Sequence, residues 1–197
     1  HRIDPNVEPE AVAQVMKELI EEGKIKAWGI SETDENYLRR AHAVCPVTAI
    51  QNRYSMMARW HENLFPVCAE LGITYVAFSP MANGILSGQF TPQSAFEKGD
   101  FRNNMPQYQK EGYQKAEKLL SLLKDLAKKK NCTMAQLSLA WMLCKEDFIV
   151  PIPGSRKVNR LTENFEAQDV KLINYEIEKI DALLDSIDFD IFGGHSS

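Results

Sequence analysis

The sequence predicts an α/β protein in which helices cover a parallel sheet. Short apolar runs alternate along the chain with longer segments of helical periodicity, which is the succession expected of β-α units. The apolar runs are nearly continuous, as in parallel strands that are buried on both faces. Each run also ends in polar or glycine-rich residues. Because ligands bind at the carboxyl ends of strands in such folds, these endings are the predicted functional positions.

The individual elements follow in a regular order. A helix is predicted over 8–22, where apolar residues recur on one face and Gly23 is suited to end it. The next helix begins at Thr33 or Asp34 and ends at Ala43, with acidic residues in its first turn. The remaining helices are predicted near 61–72, 111–130, 133–144, 158–168 and 174–184, and the strands lie within KIKAWGIS, VTAIQNRYS, ITYVAFSP and FIVPIPGS. An irregular stretch rich in glycine and proline covers 81–107.

Composition and charge argue against several classes of partner. The net charge is -4 and the pI is about 5.6, so a nucleic acid or an anionic membrane has no overall electrostatic support. Four scattered cysteines, without a CxxC pair or a histidine at ligand spacing, predict reduced thiols and no metal site. No apolar run is long enough to span a bilayer, and the first residues do not resemble a signal peptide. We therefore expect a soluble, cytoplasmic protein.

Two architectures are compatible with this pattern, a doubly wound sheet and a β/α barrel. A doubly wound dinucleotide-binding sheet should have G-x-G-x-x-G directly after a strand, and the nearest candidate, ANGILSG, has another spacing and no immediate helix. The regular succession of strands and helices fits a barrel better, but it contains only about four full strands where a barrel has eight. Periodicity alone leaves the choice open.

Six strings, in the same order as in the family, resemble the aldo-keto reductases. They are HRIDP, KIKAWGIS, IQNRYS, YVAFSPMANGILSG, TMAQLSLAWML and IPGSRKVNRLTENFEA, and together they run through essentially the whole chain. The resemblance implies a partial (β/α)8 TIM barrel, roughly strands 4–8 with their helices and a C-terminal helix. It also implies that 1–197 is a single incomplete domain whose N-terminal half is absent. Such a segment should expose sheet edges and an inner apolar face, so its expected partner is the missing half-barrel or a second copy.

The family uses NADP(H), and the resemblance carries its binding residues to this sequence position by position. Ser31 and Gln51 match residues that hydrogen-bond the nicotinamide carboxamide, and Phe78 matches the aromatic residue beneath the nicotinamide ring. The loop that crosses the pyrophosphate comprises Ser79, Pro80, Met81, Asn83, Gly84, Leu86 and Gly88. The residues that receive the 2′-phosphate and the adenine are Gly154, Ser155, Arg156, Arg160, Glu163 and Asn164, and Arg102 is a further candidate for the cofactor phosphates.

Each of these side chains also suits an ordinary structural role. Taken alone, Ser31 suits the cap of the following helix, Gln51 a solvated strand end and Phe78 the core. The basic cluster at 156–160 suits a solvated surface. The match to the family favours the cofactor roles, except at Lys157, where both interpretations stay open.

The catalytic prediction rests on His1. The family reduces carbonyl groups with Asp, Tyr, Lys and His, and His1 in HRIDP matches the histidine, although a tag remnant is an alternative origin. The other three residues come from strands that precede this point in the family, and the sequence does not contain them. The implied activity is NADPH-dependent reduction of aldehydes or ketones to alcohols by a parent enzyme, with this segment inactive alone. The alternatives are a non-enzymatic NADPH-binding subunit resembling potassium channel β subunits and an inert half-barrel. Met56, Met57 and Trp60 are candidates for the mouth of a pocket for a small carbonyl substrate.

Overall fold

The computed structural model describes residues 1–192, where helices and strands alternate. The helices are α1 (Pro9–Glu21), α2 (Glu35–Val44), α3 (Phe65–Leu71), α4 (Lys110–Lys130), α5 (Met134–Leu143), α6 (Val158–Glu166) and α7 (Asn174–Asp185), and the strands are β1 (Gly29–Ser31), β2 (Ala49–Arg53), β3 (Thr74–Phe78) and β4 (Ile149–Pro151). Short 3-10 turns lie at Glu62–Leu64, Ala82–Ser87, Phe101–Asn104, Pro106–Tyr108 and Ala167–Asp169. In this part of the chain, no helix has both the length and the apolarity needed to cross a membrane.

The four strands form one parallel sheet in the order β1-β2-β3-β4. Strands that follow each other along the chain are therefore also neighbours in space, as in a segment of a β/α barrel. A doubly wound sheet reverses its strand order at a switch point, and no reversal occurs over residues 1–192. The strand order thus decides between the two architectures that periodicity left open.

The two faces of the sheet differ in their cover. On one face Ile50, Tyr75 and Ile149 lie side by side in register and are buried in the core together with helix residues. On the other face Val76 is opposite Val150, whose surface is 46% exposed. This second face corresponds to the interior of a barrel, so apolar side chains that a closed barrel would bury are in contact with solvent.

Two strands are shorter than the sequence predicted. Of the run at 24–31 only the last three residues pair, because the N–H groups of Lys24 and Ile25 donate to the main chain of α1 and close its C-terminal end. Of the run at 148–155 only three residues pair, and Pro153 has no N–H with which to extend the ladder. Main-chain hydrogen bonding, rather than hydrophobicity, therefore sets these two strand ends.

The capping box at the start of α5 gives a stability prediction. Thr133 Oγ1 accepts a hydrogen bond from the Gln136 N–H at 3.1 Å, and the Gln136 side chain accepts one from the Thr133 N–H at 3.0 Å. Thr133→Ala removes the first of these bonds, and we expect it to lower the free energy of unfolding by about 1 kcal/mol. Urea denaturation measures the loss, with Thr133→Ser as the control that keeps the hydroxyl. Equal losses in the two variants would contradict the capping role.

Candidate functional site

The residues predicted to hold the nicotinamide lie at neighbouring strand ends. Ser31, the last residue of β1, is opposite Gln51 of β2, and its hydroxyl donates to the Gln51 main-chain carbonyl at 3.0 Å. The side-chain amide of Gln51 forms no hydrogen bond with any residue of 1–192. Phe78 ends β3 and is opposite Arg53, two residues beyond Gln51. Three adjacent strands thus bring a hydroxyl, an amide and an aromatic ring to one end of the sheet.

The capping role considered for Ser31 belongs to another residue. Asp34 is the N-cap of α2, and its Oδ1 accepts a hydrogen bond from the Tyr37 N–H at 2.8 Å. Ser31 is nearly buried and precedes this cap by three residues. Its hydroxyl oxygen still has acceptor capacity after donating its proton to Gln51, so it remains suited to a ligand that donates a hydrogen bond.

A cleft of about 400 Å³ opens at the carboxyl ends of β3 and β4. One wall is the loop after β3, and the other is the turn after β4 together with α6. Eleven of the predicted cofactor residues line this cleft: Ser79, Pro80, Met81, Asn83, Gly84, Arg102, Gly154, Ser155, Arg160, Glu163 and Asn164. Six others lie outside its lining: Ser31, Gln51, Phe78, Leu86, Gly88 and Arg156. The fold therefore brings together Arg102 and two sets of residues, at 79–84 and 154–164, that are about seventy positions apart in sequence.

The loop after β3 has an unusual backbone. Ser79, Ala82 and Asn83 have positive φ angles of 54°, 47° and 61°, which non-glycine residues seldom adopt. Two side chains from the following turn hold this conformation: Gln107 Nε2 donates to Asn83 Oδ1 at 3.1 Å, and the Tyr108 hydroxyl donates to the Asn83 carbonyl at 3.0 Å. Strained backbone of this kind persists where the surrounding structure fixes it, and it is concentrated at ligand sites.

Two residues predicted for the phosphate loop support it from behind. Leu86 is fully buried, and Gly88, with a φ of 69°, lies against Met134, whose sulfur atom would collide with a Cβ at this position. The N–H groups of Gly84, Leu86 and Gly88 donate to main-chain carbonyls within the loop. These three N–H groups are therefore occupied, and any main-chain hydrogen bond from this loop to the pyrophosphate has to come from its other N–H groups.

Helix α6 forms the opposite wall with a guanidinium and an amide. Arg160 Nη2 donates to Gln89 Oε1 at 2.6 Å, so the two walls of the cleft are joined by one hydrogen bond. Asn164 lies one helical turn further along the same helix face. Ser155 Oγ accepts from the Lys157 N–H at 3.1 Å and shapes the turn that leads into α6. Arg156, which the sequence grouped with these residues, is exposed and lies outside the cleft lining.

Arg102 enters the cleft from the turn at Phe101–Asn104. Its Nε donates to Asp100 Oδ1 at 3.0 Å, and its guanidinium lies over the rings of Phe90 and Phe96 at 4.8 and 4.4 Å from their centroids. The hydrogen bond from Arg102 lowers the pKa of Asp100 from its ordinary 3.8 to about 2. The cationic charge of Arg102 is thus partly compensated within its own turn.

This ion pair predicts a pH dependence. Since the pKa of Asp100 is lower in the folded state, its carboxylate stabilises the fold fully above pH 3.8, and this stabilisation is lost as the pH falls towards 2. A carbon-13 NMR titration of the Asp100 carboxyl group should give a pKa near 2 in the wild type. In Arg102→Met the pKa should return towards 3.8. An Asp100 pKa that is the same in both proteins would contradict the pairing.

The sequence did not identify every residue of the site. Gln89 and Ala135 belong to the cleft lining, and the full set of such residues is Ser87, Gln89, Phe90, Ala135, Ile152 and Pro153. All six lie within or directly after strings that resemble the family; Ala135, for example, belongs to TMAQLSLAWML, but the resemblance assigned it no cofactor role. Asn52 was also missed. It is fully buried, accepts from the Thr33 N–H at 3.2 Å and donates to the Thr33 carbonyl at 2.8 Å, which fixes the loop after β1.

A second cavity of about 210 Å³ brings together the residues considered for a substrate mouth. Met56, Met57 and Trp60 line it with residues from the C-terminal part of the chain, and the remaining lining residues are Arg59, Leu184, Ile187, Asp188 and Phe189. Both methionines are almost completely buried. His1 is exposed, and residues 1–4 form no strand, so its catalytic role stays a prediction.

These observations define a protein of the β/α-barrel class with a cleft at the carboxyl ends of its strands. Residues 1–185 match the model of the aldo/keto reductase family. The chain therefore belongs to this family, and the prediction of an α/β fold with part of a TIM barrel is confirmed.

Two relatives and two solved structures show the extent of the similarity. The chain is 38% identical to aldo-keto reductase str7 of Strobilurus tenacellus over 184 residues, which are 91% of this chain and 55% of that protein. It is 39% identical to aldo-keto reductase yakc of Schizosaccharomyces pombe, whose name specifies NADP(+), over 184 residues that are 91% of this chain and 54% of the relative. The chain thus spans about half the length of the curated relatives it matches.

The solved structures support the same fold. The glycerol dehydrogenase AKR11B4 of Gluconobacter oxydans matches with a TM-score of 0.87 at 21% identity, over 99% of this chain and 60% of that chain. The thermostable aldo-keto reductase Tm1743, in complex with the inhibitor epalrestat, matches with a TM-score of 0.70 at 26% identity, over 93% of this chain and 57% of that chain.

Proposed function

We propose that this chain holds NADP(H) and forms the cofactor-binding half of an enzyme that reduces aldehydes or ketones to alcohols. The observation that carries the proposal is the cleft, where eleven residues expected to contact the cofactor come together from three segments: the loop after β3, the turn at Phe101–Asn104, and the stretch from the end of β4 into α6. Family membership and the NADP(+) in the name of the relative yakc support the choice of cofactor.

Arg160 is the proposed partner of the adenosine 2′-phosphate. It lines the cleft, and within residues 1–192 it forms a hydrogen bond to a neutral amide but no ion pair, so its charge is not compensated by a carboxylate. A doubly charged phosphate binds a guanidinium more strongly than the Gln89 amide does. Asn164 adds a neutral amide donor in the same cleft, and Ser155, whose hydroxyl donates to the Lys157 carbonyl at 3.3 Å, shapes the turn beside it. This arrangement favours NADPH over NADH, which lacks the phosphate.

Ser31, Gln51 and Phe78 are the proposed nicotinamide residues. The free amide of Gln51 can both donate to and accept from the carboxamide, and Ser31 Oγ is a further acceptor. The ring of Phe78 gives the nicotinamide a flat apolar surface, so these residues together fix which face of it meets the substrate. When bound, the cofactor supplies a hydride to the carbonyl carbon, and the carbonyl oxygen takes up a proton to give the alcohol. We retain His1 as the proposed catalytic residue of this chain.

We also propose that 1–197 is an incomplete barrel domain, completed by a preceding half-barrel or by a second copy. The open face of the sheet supports this, since Val150 and Ile152, at the end of β4, are 46% and 43% exposed. Helix α6 also exposes apolar side chains, Val158 and Phe165. Intact-mass measurement on natural material should show a longer chain or a partner fragment. A single mass of 22.4 kDa with monomeric, cooperative unfolding would contradict the proposal.

A cytoplasmic location is the final part of the proposal. Cys45, Cys68, Cys132 and Cys144 are all free thiols, as is usual in a reducing compartment.

Loss of NADPH absorbance after addition of an aromatic aldehyde tests the proposed activity in the intact protein. Turnover with NADPH, and slower turnover with NADH at the same concentration, is the expected result. A change in NADPH fluorescence on binding, without turnover, would instead favour the non-enzymatic cofactor-binding subunit. Absence of both turnover and binding would contradict the proposal.

A further inference from the structure

Arg53 places a guanidinium at the carboxyl end of β2, on the open face of the sheet. It is two residues beyond Gln51, so both side chains lie on the same face. In the sheet register Arg53 is opposite Phe78, and its guanidinium carbon lies 4.9 Å from the centroid of the Phe78 ring. An aromatic ring has two faces, and a guanidinium on one of them leaves the other for a nicotinamide. Arg53 is thus next to the proposed site of hydride transfer.

The guanidinium of Arg53 lacks a compensating anion. The residue Arg53 is 8% exposed, and its Nη1 atom is buried. The guanidinium forms neither a hydrogen bond nor an ion pair with any residue of 1–192. A charged group without a partner is costly to bury, so its retention at a ligand site indicates that a partner arrives from outside.

The charge of Glu32 compensates it only in part. Glu32 Oε1 accepts a hydrogen bond from the main-chain N–H of Arg53 at 3.3 Å rather than from its guanidinium. Burial lowers the pKa of the Arg53 guanidinium, the charge of Glu32 partly opposes this, and the charge of Arg2 adds to it. The guanidinium nevertheless stays protonated, so this part of the site carries a positive charge.

Five other arginines of the described chain have side-chain partners, and the remaining two, Arg2 and Arg156, are exposed. Carboxylates pair with four of them, Arg39, Arg40, Arg59 and Arg102, and a neutral amide binds Arg160. Among the arginines of residues 1–192, Arg53 therefore differs in combining burial with the lack of a hydrogen-bonding partner.

We propose that Arg53 forms a subsite for a substrate carboxylate, and that the preferred substrates are aldehydes or ketones carrying a carboxylate group. The inference rests on the proposed reductase function and names its substrate class. A guanidinium binds a carboxylate through two parallel hydrogen bonds, which fixes the orientation of the group attached to it. Because Arg53 adjoins Phe78, a carboxylate bound there holds the carbonyl of the same small molecule close to the nicotinamide.

Matched substrate pairs test this inference in the intact protein. The three positional isomers of carboxybenzaldehyde are compared with their methyl esters, which have the same shape but no charge, and the ratio of kcat/KM is taken for each pair. We expect the wild type to favour at least one acid over its ester by about 10- to 100-fold, the range for a charge-assisted hydrogen bond. Arg53→Met should abolish this ratio, and Arg53→Lys should restore part of it. Arg40→Met is the control. It removes an exposed arginine of α2 that pairs with Glu10 of α1, and it should leave the ratio unchanged.

The outcomes separate this inference from the proposed function. Turnover of esters and acids at equal rates, or a preference that survives Arg53→Met, would overturn the inference and leave the reductase proposal standing. Equal rates are also expected if an acidic side chain outside residues 1–192 pairs with Arg53. Absence of turnover with every aldehyde would overturn the proposed function.

Calorimetry decides the inference in that case, and also if Arg53→Met fails to fold. The affinities of the wild type for benzoate and for benzamide are compared. Tighter binding of benzoate supports the carboxylate subsite, and equal binding of the two overturns it.

Discussion

Arg160→Met should weaken the binding of NADPH by about 10- to 100-fold, with a much smaller effect on NADH. The guanidinium lies in the cleft between the loop after β3 and α6 and forms no ion pair within residues 1–192. Methionine keeps an unbranched side chain of similar length but has neither charge nor N–H donors. The loss should therefore fall on the cofactor that carries the extra phosphate. Fluorescence titration with both cofactors gives the two dissociation constants.

Arg39→Met is the matched control for this experiment, because Arg39 is a partly exposed arginine paired with Glu35 and Glu70 away from the cleft. It should leave both dissociation constants unchanged. If Arg160→Met lowered the affinities for NADPH and NADH by the same factor, this would show that the guanidinium does not bind the 2′-phosphate. An unchanged affinity for NADPH would remove Arg160 from the site altogether.

Gly112→Ala should cost about 1–3 kcal/mol of unfolding free energy. Gly112 lies in the first turn of α4, packed against the turn that contains Gln107. A Cβ at this position would collide with the carbonyl oxygen of Pro106 and lie 2.7 Å from the Gln107 Cα. These are main-chain atoms, so they cannot give way by a side-chain rotation. The gain in helix propensity from alanine, about 1 kcal/mol, is too small to offset the collision.

The same substitution should also weaken cofactor binding, because Gln107 holds Asn83 in the strained loop of the cleft. Chemical denaturation and NADPH titration of one variant measure both effects. Gly154→Ala is the control for stability, since a Cβ there meets no atom within 4 Å, and its unfolding free energy should match that of the wild type. A Gly112→Ala protein as stable as the wild type would show that the turn at Pro106–Tyr108 can move away from α4.

The fold was predictable because its signals are local. The apolar runs, the end of the helix predicted near 61–72 and the acidic first turn at Asp34 each depend on a few adjacent residues, and the structure places a left-handed glycine, Gly72, and an N-cap, Asp34, at these positions. The ends of the strands were less predictable. Whether Lys24 continues a strand or closes α1 depends on which carbonyl its N–H meets, and hydrophobicity contains no information about that choice.

The site was predictable where a motif covers it and not where distant segments meet. The strings around Ser79 and Arg160 identified most of the cleft lining, including both of its walls. The bracing of Asn83 by Gln107 and the contact between Arg53 and Phe78 join residues about 25 positions apart, which no linear pattern shows. The burial of individual loop residues was also not predictable from the sequence. Leu86 and Asn83 belong to one loop, but only Leu86 is completely buried.

The most direct test of the cofactor site is a crystal structure of the intact protein with bound NADP+. We expect the 2′-phosphate within hydrogen-bonding distance of Arg160 and the pyrophosphate along the loop at 79–84. The nicotinamide should lie against Phe78, with its carboxamide hydrogen-bonded to Gln51 and Ser31. A dinucleotide bound at any other surface, or one whose 2′-phosphate is far from Arg160, would contradict this expectation.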